Sequence, residues 1–143
     1  MNVARILKDK GRNVATVTPE TLLRKAVEKL AAERVGALVV CDQDKRVAGI
    51  ISERDVVRML AANGPDVLNQ PVSLYMTKDV RTCTERDTVE WLMGEMTAQR
   101  FRHLPVVEGG KLIGIVSIGD VVKQRIAVAE LEAASMREYI ATG

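Results

Sequence analysis

Two short stretches carry residue types whose spacing suits chemistry. Ser52 and Asp55 stand three apart in Gly49-Ile50-Ile51-Ser52-Glu53-Arg54-Asp55, and Ser117 and Asp120 stand three apart in Gly114-Ile115-Val116-Ser117-Ile118-Gly119-Asp120. In each, an apolar strand runs into a helix at the serine. A hydroxyl there points toward a helix N-terminus, where unpaired N–H donors and a partial positive charge suit a phosphate. The aspartate lies in the first helical turn on nearly the same face. Its carboxylate can accept hydrogen bonds from two vicinal hydroxyls, as a ribose presents. The leading glycine lets another backbone come close. The combination describes a nucleotide grip. The same residues also suit a plainer role, with each serine an N-cap and each aspartate a complement to the helix dipole.

The elements that position these motifs occur twice. Val14-Ala15-Thr16-Val17-Thr18 returns as Val80-Arg81-Thr82-Cys83-Thr84, and Leu23, Ala26, Val27 and Leu30 return as Val89, Leu92, Met93 and Met96. Gly36-Ala37-Leu38-Val39-Val40 returns as Arg102-His103-Leu104-Pro105-Val106. These pairs share an offset of 66 (80 − 14), and the Ser/Asp motifs an offset of 65 (117 − 52), one residue having been lost in a turn. Register held through four patterns marks an internal duplication. Each copy predicts strand, helix, strand, turn, strand, helix. Val14–Val17 and Val80–Cys83 alternate as short strands, and the apolar i, i+3, i+4, i+7 stripes predict helices. Thr18-Pro19, and Thr84 with Asp87, read as helix-start signals. Leu38–Cys41 and Leu104–Val107 read as buried strands, each turning through a polar hairpin into Val47–Ile51 or Leu112–Val116.

A unit this small cannot readily bury its own sheet, whereas two pressed together can. The expected organisation is α+β, with a first repeat and N-terminal segment over 1–62, a linker over 63–79, a second repeat over 80–126 and a helical tail over 127–143. The tail's Val128 and Leu131 predict an apolar stripe that meets a partner helix.

Composition narrows the function classes. Twenty-one basic and 19 acidic residues leave a net charge of +2, so the chain is no polycation demanding nucleic acid. No apolar run is long enough to span a bilayer, and Met1–Arg5 begins no signal-like stretch. Cys41 and Cys83 lack metal-ligand spacing and read as reduced thiols of a cytoplasmic protein. His103, the sole histidine, has no visible orienting carboxylate or activated nucleophile, so no catalytic role follows. Gly109-Gly110 is a hairpin turn rather than a dinucleotide fingerprint.

The doubled Gly-Ile-Ile-Ser-Glu-Arg-Asp and Gly-Ile-Val-Ser-Ile-Gly-Asp motifs, with Leu104-Pro105-Val106-Val107 before Gly114, resemble the signature of the cystathionine-β-synthase (CBS) domain. The resemblance covers roughly residues 3–126 and both copies. It implies a tandem pair, often called a Bateman module, of two β-α-β-β-α repeats packed about a pseudo-two-fold axis. It further implies a non-enzymatic module that binds AMP, ADP, ATP, NAD(H) or S-adenosylmethionine between the repeats. Such a module would form a homodimer and signal to a separate protein.

Carried over residue by residue, one cleft would pair Thr16, Val17, Thr18, Gly36, Ala37 and Leu38 with Ser117 and Asp120, drawing on Arg102 and His103 for phosphate. The other would pair Thr82, Cys83, Thr84, His103, Leu104 and Pro105 with Ser52 and Asp55, drawing on Arg54. The two are therefore expected to differ in affinity. Rival readings are a structural dimerisation module with vestigial clefts, and a nucleic-acid binder using Arg54, Arg58, Arg100 and Arg102. Cys83 also reads as a small apolar strand residue, and Trp91 as packing or interface.

Overall fold

In the computed structural model, which describes residues 1–142, the chain opens with a helix, Val3–Lys10 (α1). The Asn2 side chain caps it, accepting the Arg5 N–H at 3.3 Å. Val3, Ile6 and Leu7 fall on one face at i, i+3, i+4 spacing and are buried. That face packs among Val89, Leu92, Leu104, Val106 and Val116, which belong to the second repeat. The N-terminal segment, grouped with the first repeat in sequence, thus completes the core of the second.

The first repeat contains Thr16–Val17 (β1), Leu23–Glu33 (α2), Ala37–Cys41 (β2), Val47–Ser52 (β3) and Glu53–Asn63 (α3). Its sheet has the order β1-β2-β3, with β1 parallel and β3 antiparallel to β2. The second contains Val89–Gln99 (α4), His103–Glu108 (β4), Lys111–Ser117 (β5) and Ile118–Thr142 (α5). Here the expected strand at 80–83 shrinks to one parallel bridge between Cys83 and Val106. Cys83 donates its N–H to the Pro105 carbonyl and accepts from the Val107 N–H, both at 2.9 Å. Polar Arg81, Thr82 and Thr84 beside it offer no apolar face to extend the pairing.

The helix-start signals move. Thr88, not Thr84, caps α4 by accepting the Trp91 N–H at 3.1 Å, while Thr84 and Asp87 close the preceding turn. Thr18 likewise closes a turn with Thr21, and α2 starts after Leu22 without a side-chain cap.

The linker contributes to the core. Residues 65–69 and 72–74 form 3₁₀ turns that bury Val67 and Val72 among Leu23, Leu38 and Ile51. Thr77 then pairs with Ile50 through two backbone hydrogen bonds of 2.9 and 3.0 Å. The segment entering each repeat therefore crosses over and covers the other. Both crossings need a glycine beneath them. A Cβ on Gly49 would lie 2.6 Å from Met76 Sδ, and one on Gly114 would lie 2.7 Å from Leu7 Cδ2.

The expected tail helix is continuous with α5, because residues 120–142 contain no glycine or proline to stop it. Leu131, Met136 and Ile140 on its distal half are exposed. Among the described residues, no helix is long and apolar enough to cross a membrane.

Candidate functional site

Ser52 ends β3 and caps α3. Its Oγ accepts the Asp55 N–H at 3.2 Å, while Asp55 Oδ2 accepts the Ser52 N–H at 3.0 Å and the Ser52 hydroxyl at 2.9 Å. The plain capping role is thus fulfilled as a reciprocal box. Both bonds to the carboxylate use Oδ2, so Oδ1 remains for a further donor.

This box borders a cavity of about 370 Å³ between the repeats. Ile50 and Thr77 line one side, and Gly36 and His103 lie at the junction of the two halves. The remaining wall carries four arginines and one acid, Glu53. Arg54 and Arg58 stand one turn apart on α3. Arg100 ends α4 in the left-handed region, with φ of +59°, and swings Phe101, Arg102 and His103 across the mouth. Among the described residues, none of these four guanidinium groups lies within ion-pair distance of a carboxylate. Four like charges converging without partners favour an anionic guest.

His103 lies between the two motifs. Burial lowers its pKa first, and the nearby positive charges of Lys10 and Arg102 lower it further. Asp120 and Glu53 pull the other way without reversing the shift.

The second motif repeats the box. Asp120 Oδ2 accepts the Ser117 N–H at 2.9 Å, and Ser117 Oγ accepts the Asp120 N–H at 3.2 Å. It also meets a cation: Lys10 Nζ, at the end of α1, donates to Asp120 Oδ2 at 2.7 Å and to the Ile115 carbonyl at 3.1 Å. Burial alone would raise the Asp120 pKa. The Lys10 and Ser117 hydrogen bonds and the Lys10 charge outweigh it, and the net shift is downward. The space here is smaller, about 270 Å³, and is lined by Asp9, Lys10, Lys123 and Gln124.

The residues expected to share clefts are only partly brought together. Ser52, Arg54, Asp55 and His103 line one cavity, as expected, and Arg102 joins them rather than Ser117 and Asp120. Thr16, Val17 and Thr18 line a separate cavity with Arg12, Asp42 and Lys45. The reason is register: Thr16 pairs with Val39, so Thr18 lies toward Cys41 and away from Gly36. Leu38 and Leu104 are fully buried core residues, and Ala37 and Pro105 are buried beside them. Cys83 is buried in the second core, and burial, with a smaller contribution from Asp87, pushes its thiol up to about 12. Neither it nor Thr82 or Thr84 lines the Ser52 cavity.

Lys10, Phe101 and Thr77 were not anticipated as site residues. Arg58 was legible as the i+4 neighbour of Arg54. Nothing local signals Lys10, which lies 110 residues from Asp120 in sequence.

A family model described as the CBS domain matches residues 5–62 and 72–126. The crystal structure of a CBS-domain containing protein from Agrobacterium tumefaciens is 48% identical, with a TM-score of 0.84, covering 87% of this chain and 99% of that one. A CBS domain protein from Pyrobaculum aerophilum, solved in complex with AMP, is 27% identical with a TM-score of 0.79, covering 93% and 99%. A 17.7 kDa protein from Acidianus ambivalens is 40% identical over 120 residues, which is 83% of this chain and 71% of that protein.

Proposed function

This chain belongs to the CBS-domain family and carries two such domains in tandem, and on that premise we propose that it is a non-enzymatic regulatory module binding a phosphorylated adenosine ligand in the Ser52–Asp55 cavity. The observation that carries this reading is the convergence of an aspartate with a spare carboxylate oxygen and four arginines, unpaired among the described residues, around one opening between the repeats. Asp55 accepts the ribose hydroxyls. Arg54, Arg58, Arg100 and Arg102 receive the phosphates, and Ile50 and Phe101 supply apolar surface for the base.

This electrostatic pattern favours AMP, ADP, ATP or the diphosphate of NAD(H) over S-adenosylmethionine, whose sulfonium the arginines repel. The AMP complex of the Pyrobaculum relative supports the ligand class. Exposed Trp91, Met93, Ile118 and Val122 on the helices support homodimer formation, and burial of both free cysteines fits a reducing compartment such as the cytoplasm. Binding biases the relative placement of the repeats, which a separate protein reads.

Calorimetric titration with AMP, ATP and adenosine tests the proposal. AMP and ATP should bind, adenosine at least ten-fold more weakly, and Asp55→Ala should abolish binding. At a hundred times its dissociation constant, AMP should stabilise the fold by about 2.7 kcal/mol. Absence of binding, with no thermal shift, would leave a dimerisation module. Salt-sensitive RNA binding that survives Asp55→Ala would instead favour the nucleic-acid reading.

A further inference from the structure

The two Ser-x-x-Asp boxes share the reciprocal pair of bonds to the backbone N–H groups; the Ser52 hydroxyl also donates to Asp55 at 2.9 Å, whereas the second aspartate is approached by a lysine. Among the described residues, Asp55 has no ammonium or guanidinium within ion-pair distance, whereas Asp120 holds Lys10 at 2.7 Å. The same ammonium also reaches the Ile115 carbonyl on β5. Two of its three donor positions are thereby committed to one side of the cleft.

Lys10 is not a wandering surface lysine, because its helix is fixed on three sides. Val3, Ile6 and Leu7 are buried in the second core, with Leu7 over the bare face of Gly114. Gln124 on α5 donates to Asp9 at 3.0 Å, tying the neighbouring residue. Gly11, with φ of +95°, then ends the helix by donating its N–H to the Leu7 carbonyl at 2.8 Å. The Lys10 side chain is 32% exposed and that of Asp120 is 21% exposed. A pair this open to solvent is weak enough to break.

We propose that α1 is a latch on the second cleft. Lys10 binds Oδ2 of Asp120 and neutralises the charge of the carboxylate that would otherwise grip a ribose, leaving one open ligand site per chain. The inference rests on the reading of Ser-x-x-Asp as a ribose grip. It adds that occupancy of the second site is coupled to the position of the N-terminal helix. Opening the latch frees Lys10 and loosens the end of α1, so a ligand there would report through that helix and its Gln124 contact with α5.

The test is calorimetric titration of the full chain with AMP. The wild type should show one site per chain, and Asp55→Ala should remove it. Lys10→Met and Lys10→Gln should each show two sites. The second should disappear when Asp120→Ala is added, with melting temperatures confirming that each variant is folded. A wild type that already titrates as two sites, or Lys10 variants that still show one, would overturn the latch while leaving the ligand reading intact. Loss of a second site on changing Lys10 would also overturn it, making the lysine a ligand contact. Absence of AMP binding in every protein would overturn the ribose-grip reading, and the latch with it.

Discussion

The two clefts are built from one duplicated motif and end in different electrostatic states. At the first, the covering segment is the linker, which brings Met76 and Thr77 against Gly49 and Ile50 and, among the described residues, no ion pair onto Asp55. At the second it is α1, which brings Leu7 against Gly114 and Lys10 onto Asp120. The arginines diverge in the same sense. Gly119 stands where the first repeat has Arg54, and Arg102 stands where it has Gly36. Duplication preserved the Ser/Asp box, whose bonds are local to one strand end and one helix start. It did not preserve the surroundings, which come from segments distant in sequence. One cleft is lined by four arginines, while the aspartate of the other is paired with a lysine.

The largest effect that would sharpen this contrast concerns the two covers. Leu7 is almost fully buried and part of the second core, whereas Met76 is partly exposed at the edge of the first. Leu7→Ala should cost about 3 kcal/mol and Met76→Ala about 1 kcal/mol, read by denaturant melts. Equal losses would mean the covers are structurally equivalent and the asymmetry is confined to charge. The next largest effect concerns the arginines. Arg58→Ala and Arg102→Ala should each weaken ATP binding by roughly ten-fold, as expected for losing a charge-assisted bond. Lys123→Ala, on the corresponding turn of α5 beside Asp120, should leave it unchanged. If all three weaken binding alike, both clefts take nucleotide and the contrast fails.

The repeated β-α-β-β-α order was legible because periodicity and turn chemistry are local. Residues 38–41 and 104–107 occupy β2 and β4, and Ser52 caps its helix as its position predicts. The first strands are shorter than their pattern suggests: alternation over 14–17 and 80–83 yields two paired residues in one copy and a single bridge in the other. A strand needs a neighbour to bond, and the pairing at these positions is too short to show in the pattern. Within the site, Ser52, Arg54, Asp55 and His103 were legible as one cluster, since the motif and the repeat boundary both mark them. Thr16–Thr18 line a cavity apart from Ser117 and Asp120 because the register of β1 on β2, which slides them toward Cys41, is a tertiary choice. Lys10 was invisible for a stronger reason. It stands in the charged run Lys8-Asp9-Lys10, where nothing local sets it apart from Lys8, and the crossing of α1 to the other repeat gives it its partner.

The smallest expected effect separates the boxes by pH. The Asp120 pKa is depressed on folding because the Lys10 and Ser117 contacts outweigh burial. Its contribution to stability is therefore complete above the unfolded carboxyl value of about 3.9 and is lost as pH falls through the lower folded value. His103 is also lowered, by burial first and by Lys10 next. The unfolded chain thus binds a proton there before the folded one does, and stability falls as pH drops below about 6.5. Lys10→Met acts on both groups: it lets the Asp120 pKa rise, and it relieves the repulsion on His103. The wild type should exceed the variant by no more than about 1 kcal/mol at pH 7, as befits a partly exposed pair. That margin should narrow in two steps on acidification, first below pH 6.5 and again below about pH 4. Melting temperatures of the two proteins from pH 7 to pH 3 read this directly. Parallel curves would show that Lys10 exerts no influence on either group in solution, and the two clefts would then differ only in their arginines.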